Sequence, residues 1–116
     1  MFHIKVTPRF TGKALGDMSE AEHRIAERIK TIAEPYVPSR TGALVAGTTV
    51  TGNMIRYPGP AANILYQGRR EGRRLEISKA VHPQAQDHWV YGARKDHADE
   101  IKSIVAEEIK EQIRRR

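Results

Sequence analysis

Two prolines, Pro35 and Pro38, follow directly on an amphipathic stripe, and they forbid that helix from running on into the middle of the chain. Upstream of them, Met18, Ala21, Ile25, Ile29 and Ile32 fall on one narrow arc at 3.6-residue periodicity, whereas Glu20, Arg24, Glu27 and Lys30 fall elsewhere. Ser19 with Glu22 has the spacing of a capping box, so the pattern predicts a helix over 19–34. A second stripe, Trp89, Val90, Ala93, His97, Ile101, Ile104, Val105, Ile109 and Ile113, predicts a long helix over 88–114 with Asp87 as its candidate N-cap. Its early acids Asp96, Asp99 and Glu100 and its terminal Arg114 to Arg116 complement the helix dipole. Gly92 weakens the first turns, placing the start of regular helix after it.

Everything between these helices must fold in another way. Phe2, Ile4 and Val6 alternate with His3 and Lys5, predicting a short strand ended by Pro8, and "TGKALGD" reads as a loop. Residues 43–50, "ALVAGTTV", and 54–57, "MIRY", suit strands, and Gly52 and Asn53 between them suit the turn of a hairpin. In "PGPAANILYQG", Pro60 fits the first turn of a short helix, Ile64, Leu65 and Tyr66 its buried side, and Gly68 its stop. "GRREGRR" reads as a loop tip, "LEIS" as a returning strand and "KAVHPQAQ" as irregular. The expectation is a single α+β domain over 1–116. In it, the N-terminal helix and the long C-terminal helix pack on a small, mostly antiparallel β-sheet with long basic loops. Ile25, Ile29, Leu44, Tyr66, Trp89 and Ile101 are its expected packing residues.

At 116 residues, 39% hydrophobic and 29% charged, the chain has the composition of one folded domain, without the run of about eighteen apolar residues that a membrane span requires. It contains no cysteine, which excludes disulfides, thiolate metal sites and cysteine nucleophiles. "MFHIKVTPRF" lacks the apolar run of a signal peptide, so synthesis in the cytoplasm is expected. The net charge of +6 is unevenly placed: residues 1–34 carry +1, 35–68 carry +2, 69–84 carry +3 and 85–116 carry 0. The central excess marks Arg69, Arg70, Arg73 and Arg74 as candidate contacts to an acidic partner or to DNA.

The chemistry-bearing residue types form no recognisable catalytic pattern. His82, His88 and His97 are spaced by six and nine, not by the one helical turn that a zinc pair on a helix uses. Ser39, Thr41 and Ser78 have no G-x-S-x-G context, and "SRTGAL" precedes a strand-like stretch where a phosphate-binding loop would precede a helix. The acids of both helices take solvent-facing positions, where pairs such as Glu111 with Arg115 account for them. Nucleic-acid binding is the competing class, since "GRREGRR" could track phosphates while Tyr66 or Trp89 stacks on bases. Against it, the second helix is electrically neutral and cannot serve as a basic recognition helix.

"YVPSRTGAL", "IRYPGPAANILYQG" and "HPQAQDHWVYGARK" follow one another in an order and spacing that resembles the minor capsid proteins of tailed phages, relatives of siphophage head–tail connector and tail-completion proteins. The likeness covers roughly residues 20 to 113, and departs from the pattern where Gly-Pro replaces the usual Pro-Tyr. It implies a structural corner at Pro38, Thr41 and Gly42. It further implies a non-enzymatic virion protein without cofactor, assembled as a homo-oligomeric ring at the head–tail interface. The expected partners are a portal-side connector, tail-tube or tail-terminator proteins, and non-specifically the packaged DNA.

Overall fold

The computed structural model describes residues 2–6, 18–38, 43–70, 72–75, 77, 82 and 84–115. Helix α1 (Ser19–Ala33) stops where Pro35 dictates, in a 3-10 turn over Glu34–Tyr36, and Val37 leaves it with extended backbone. Ala21, Ile25, Ala26 and Ala33 are its buried residues, so the helical stripe meets the core as its spacing predicts. The helix opens one residue earlier than the capping box implies: Met18 is the N-cap, its carbonyl accepts the Glu22 N–H at 2.9 Å, and Ser19 is already helical. Glu22 Oε2 receives Asn53 Nδ2–H at 2.8 Å, which ties the helix start to a turn of the sheet.

Three antiparallel strands lie under α1 in the order β1 (Phe2–Lys5), β3 (Met54–Tyr57), β2 (Thr49–Thr51). Ile4 and Val50 flank Ile55 in register, placing three β-branched side chains in one row on the face that α1 covers. Ile55 and Tyr57, two apart on the central strand, are both fully buried.

Residues 43–46 depart from the predicted strand. They form one helical turn, α2 (Ala43–Ala46), closed by Thr48 Oγ1–H donating to Leu44 O at 2.7 Å and Thr48 N–H to Val45 O at 3.1 Å. Leu44 and Val45 both pack against the core, and adjacent residues can share a face in a helical turn but not in a strand. The sheet strand begins only at Thr49.

Helix α3 (Gly59–Gln67) follows, then a two-stranded ribbon of β4 (Arg69–Arg70) and β5 (Arg73–Arg74) in place of an unstructured tip. The returning strand predicted for "LEIS" is absent at Leu75 and Ile77, because the Leu75 N–H closes the ribbon onto Gly68 O at 2.8 Å and pairing ends there.

The predicted single C-terminal helix is two, α4 (Trp89–Asp96) and α5 (Ala98–Arg114), separated at His97. The N-cap of α4 is His88 in left-handed backbone (φ 47°), not Asp87, and α4 runs straight through Gly92. Packing explains the break: α4 contacts both α1 and the 3-10 corner, while α5 lies along α1. One straight helix cannot follow both directions. Arg28 reaches Glu107 and Glu108 while Arg24 reaches Glu108 and Gln112, so α1 and α5 run antiparallel. The molecule measures 48 × 25 × 24 Å. Among the described residues no helix is long and apolar enough to cross a membrane.

Candidate functional site

The arginine ribbon carries exposed cations on a short two-stranded element. Its root is Gly68, whose φ of 70° ends α3 and whose N–H bonds to Ile64 O at 3.0 Å and Leu65 O at 3.1 Å. Only glycine serves there, because an added Cβ would stand 2.8 Å from Asp87 Cβ. The register sets Arg69 opposite Arg74 and Arg70 opposite Arg73. Arg69, Arg73 and Arg74 are exposed, and among the described residues no ion pair engages them. Cross-strand partners share a face, so Arg69 and Arg74 leave the ribbon on the same side.

An aromatic joint holds this root. Trp89 is fully buried, and its ring meets Tyr57 edge-on at 5.2 Å and Tyr66 edge-on at 4.6 Å. Burial pushes the Tyr57 phenol up to about 12. Tyr66 O accepts the His88 N–H at 2.7 Å, and the Tyr66 and His88 rings stand 5.2 Å apart. Burial also raises the Tyr66 phenol, opposed by a hydrogen bond from the Tyr91 backbone. Tyr91 is the third residue of α4, where an N–H has no partner within its helix, and the His88 side chain supplies no cap. Tyr66 is therefore the cap of α4, delivered from α3.

The corner after α1 is stitched to a later segment. His82 Nδ1–H donates to Val37 O at 2.8 Å and Gln86 N–H to Tyr36 O at 3.0 Å, while Tyr36, Val37 and Pro38 are buried. The Tyr36 hydroxyl meets Asp96 Oδ2 at 2.8 Å and His97 Nε2 at 3.3 Å, and His97 Nδ1 faces Glu100 Oε2 at 3.0 Å. Both nitrogens of His97 thus have neighbours, one more than a histidine on a helix flank requires. Thr41 and Gly42 of the predicted corner, like Ser39 and Ser78, lie outside the described residues.

Among the expected packing residues, Ile25 and Trp89 are fully buried and Ile29, Leu44 and Tyr66 pack partly buried against the core. Ile101 is only half-buried; Ile104 is the buried residue of α5. Burial removes Trp89 as a stacking platform, and among the described residues Tyr91 is an exposed aromatic, at 67%. Nor are all helix acids solvent-facing. The Glu108 side chain is 13% exposed, 2.6 Å from Arg24 and 3.2 Å from Arg28. Burial disfavours its charge, but hydrogen bonds from Arg24 and Arg28 outweigh that and hold the carboxyl below the ordinary glutamate value. Glu111 does pair with Arg115, at 2.9 Å. Tyr57, the residue that sequence reasoning passed over, was marked by its two-residue alternation with Ile55.

Among the described residues no three of His, Asp and Glu are grouped so as to hold a metal ion. In comparisons with known proteins, no family model, no curated protein and no solved structure matches the chain.

Proposed function

We propose that this protein is a non-enzymatic structural component of a tailed-phage or prophage virion, acting at the head–tail junction as a subunit of a homo-oligomeric ring. The resemblance to tailed-phage minor capsid proteins supplies this reading. The observation that supports it is the aromatic joint of Tyr57, Tyr66 and Trp89, which roots an exposed charged ribbon on a fully buried tryptophan. A subunit that works by contact needs its protruding element held at a fixed place, because ordering it on assembly would weaken binding.

The segments that carry the resemblance also serve as the fold's joints. The "YVP" stretch makes the buried corner, "PGPAANILYQG" makes α3 and its glycine stop, and "HWVYGARK" opens α4. His82 and His97, with Tyr36, make bonds within the chain that fasten one segment to another. Such a subunit joins portal-side and tail proteins by shape and charge and requires no cofactor.

The test is negative-stain microscopy of lysates from a phage or induced prophage carrying an amber mutation in this gene. Filled heads and finished tails lying apart are the expected outcome. Normal infectious particles would refute the virion role.

A further inference from the structure

We infer that His23 and His97 are proton-operated ties, which close as the medium becomes mildly acid and each give up one bond when their rings are neutral. Both ties belong to the fold itself, whichever assembly contains the chain.

His23 shows the arrangement most plainly. Its Nδ1 stands 2.6 Å from Gly52 O, in the turn between β2 and β3, and its Nε2 stands 2.7 Å from Glu27 Oε1, one turn along α1. A carbonyl and an ionised carboxylate can only accept. A neutral imidazole has one N–H, so it serves one of these oxygens and turns a lone pair on the other. The imidazolium, protonated at both nitrogens, satisfies both. Protonating Glu27 instead would take a pH near the ordinary glutamate value of about 4.3, well below the histidine value of about 6.5.

His97 repeats this on another element. The Tyr36 hydroxyl donates to Asp96 Oδ2 at 2.8 Å, so towards His97 Nε2, at 3.3 Å, it offers an accepting oxygen. His97 Nδ1 faces Glu100 Oε2 at 3.0 Å. Here too both acceptors are met only by a ring with two protons.

Acids stand nearest to both rings. Around His23, Glu20, Glu22 and Glu27 come from α1, Glu22 being taken by Asn53 of the hairpin turn, while on the α5 side Glu107 and Glu108 are matched by Arg24 and Arg28. Around His97, Asp96, Asp99 and Glu100 flank the joint and Arg94 and Lys95 close α4; the 3-10 corner brings Tyr36, and its Glu34 is paired with Lys30. Both histidine side chains are 38% exposed, so water shares in these bonds and each tie is modest. One tie fastens α1 to the hairpin turn of the sheet, the other fastens the joint of α4 and α5 to the proline corner. Losing a proton leaves the chain folded, since Asn53 still holds Glu22 and Tyr36 still holds Asp96.

The experiment is urea denaturation of the full chain at about pH 5.5 and about pH 8, on either side of the histidine range. For His23→Ala and for His97→Ala, the ratio of the variant's unfolding constant to that of the wild type should be about 2- to 5-fold greater at the lower pH, the scale of a half-exposed ion pair. Glu27→Ala leaves His23 one acceptor, which a neutral ring serves, and should remove the pH-dependence of the His23 effect. Ratios equal at the two pH values, or greater at the higher one, would overturn the inference, and persistence of the full effect beside Glu27→Ala would overturn the tie at His23. Nitrogen-15 NMR of the wild-type rings at the lower pH gives a reading that needs no variant. The Nδ1–H and Nε2–H protons of His23 should be shielded from exchange with water, unlike those of His3, exposed on β1. Exchange as fast at His23 as at His3 would also overturn it.

Discussion

The Tyr36 hydroxyl donates to Asp96 Oδ2 across 2.8 Å, joining the proline corner after α1 to the last residue of α4. This one bond bridges sixty positions of sequence at the place where α4 gives way to α5. Tyr36→Phe keeps the buried ring and leaves Asp96, which is exposed, to water. The expected cost is about 1 kcal/mol, read as a lower midpoint in urea denaturation with an unchanged slope.

The same tyrosine and Tyr57 set an alkaline limit. The bond to Asp96, then burial, raises the Tyr36 phenol above its ordinary value; burial takes Tyr57 up to about 12. A raised value means that the native chain holds a proton which the unfolded chain has already released. Their contribution is complete below about 10 and is lost as pH rises through the native values, which for Tyr57 is about 12. Denaturation midpoints measured across that range should fall for the wild type and fall less for Tyr57→Phe.

Acid works through Glu108. Its carboxyl is held below the ordinary value despite burial, so the stability it contributes is present above the unfolded glutamate range and is lost as pH falls through the native value. Glu108→Gln should cost about 1 to 2 kcal/mol at neutral pH, between the values for exposed and buried pairs, and should flatten the acid limb of the stability profile. A double-mutant cycle with Arg24 should show coupling.

Two glycines, both close to a neighbour, should respond in opposite ways to alanine. At Gly68 the backbone is left-handed and the obstacle includes Asp87 Cβ, so Gly68→Ala should destabilise by more than about 1 kcal/mol. At Gly92 the backbone is helical and the obstacle is the end of the exposed Gln86 side chain, which can swing away. Gly92→Ala should be neutral or stabilising by up to about 1 kcal/mol, with thermal denaturation of both variants as the comparison.

Trp89→Ala removes the ring on which both Tyr57 and Tyr66 pack. The expected cost is about 3 to 5 kcal/mol, among the largest for a single substitution here. Trp89→Phe should recover part of it. At about 4 °C per kcal/mol the alanine variant melts about 12 to 20 °C lower, measurable by calorimetry.

The fold class, α1 and its proline stop, β3 and the glycine end of α3 were all legible, because periodicity and backbone restriction are local. What escaped was decided by tertiary contact. Ala43 to Ala46 have strand-compatible neighbours, yet Leu44 and Val45 reach the core together only by turning. The C-terminal stripe keeps a helical period across His97, and only the different packing directions of α4 and α5 break it. In the candidate site, the four arginines were visible as a charged tip, but not the ribbon that orders them. Trp89 stood on the apolar stripe among the expected packing residues, and its full burial leaves no face of it to stack on bases. The sequence pattern also placed Glu108 among solvent-facing acids, and the arginines that enclose it lie 80 and 84 positions away.

Tyr66 stands two residues before the arginine ribbon's root and, through its hydroxyl, caps α4. Tension applied at the arginines has two ways into the core: through Gly68 and α3 to the first turn of α4, and through Leu75 towards the segment that His82 and Gln86 tie to the corner after α1. A pull strong enough to free Tyr66 would loosen the first turn of α4 and the ring packing on Trp89 in the same event.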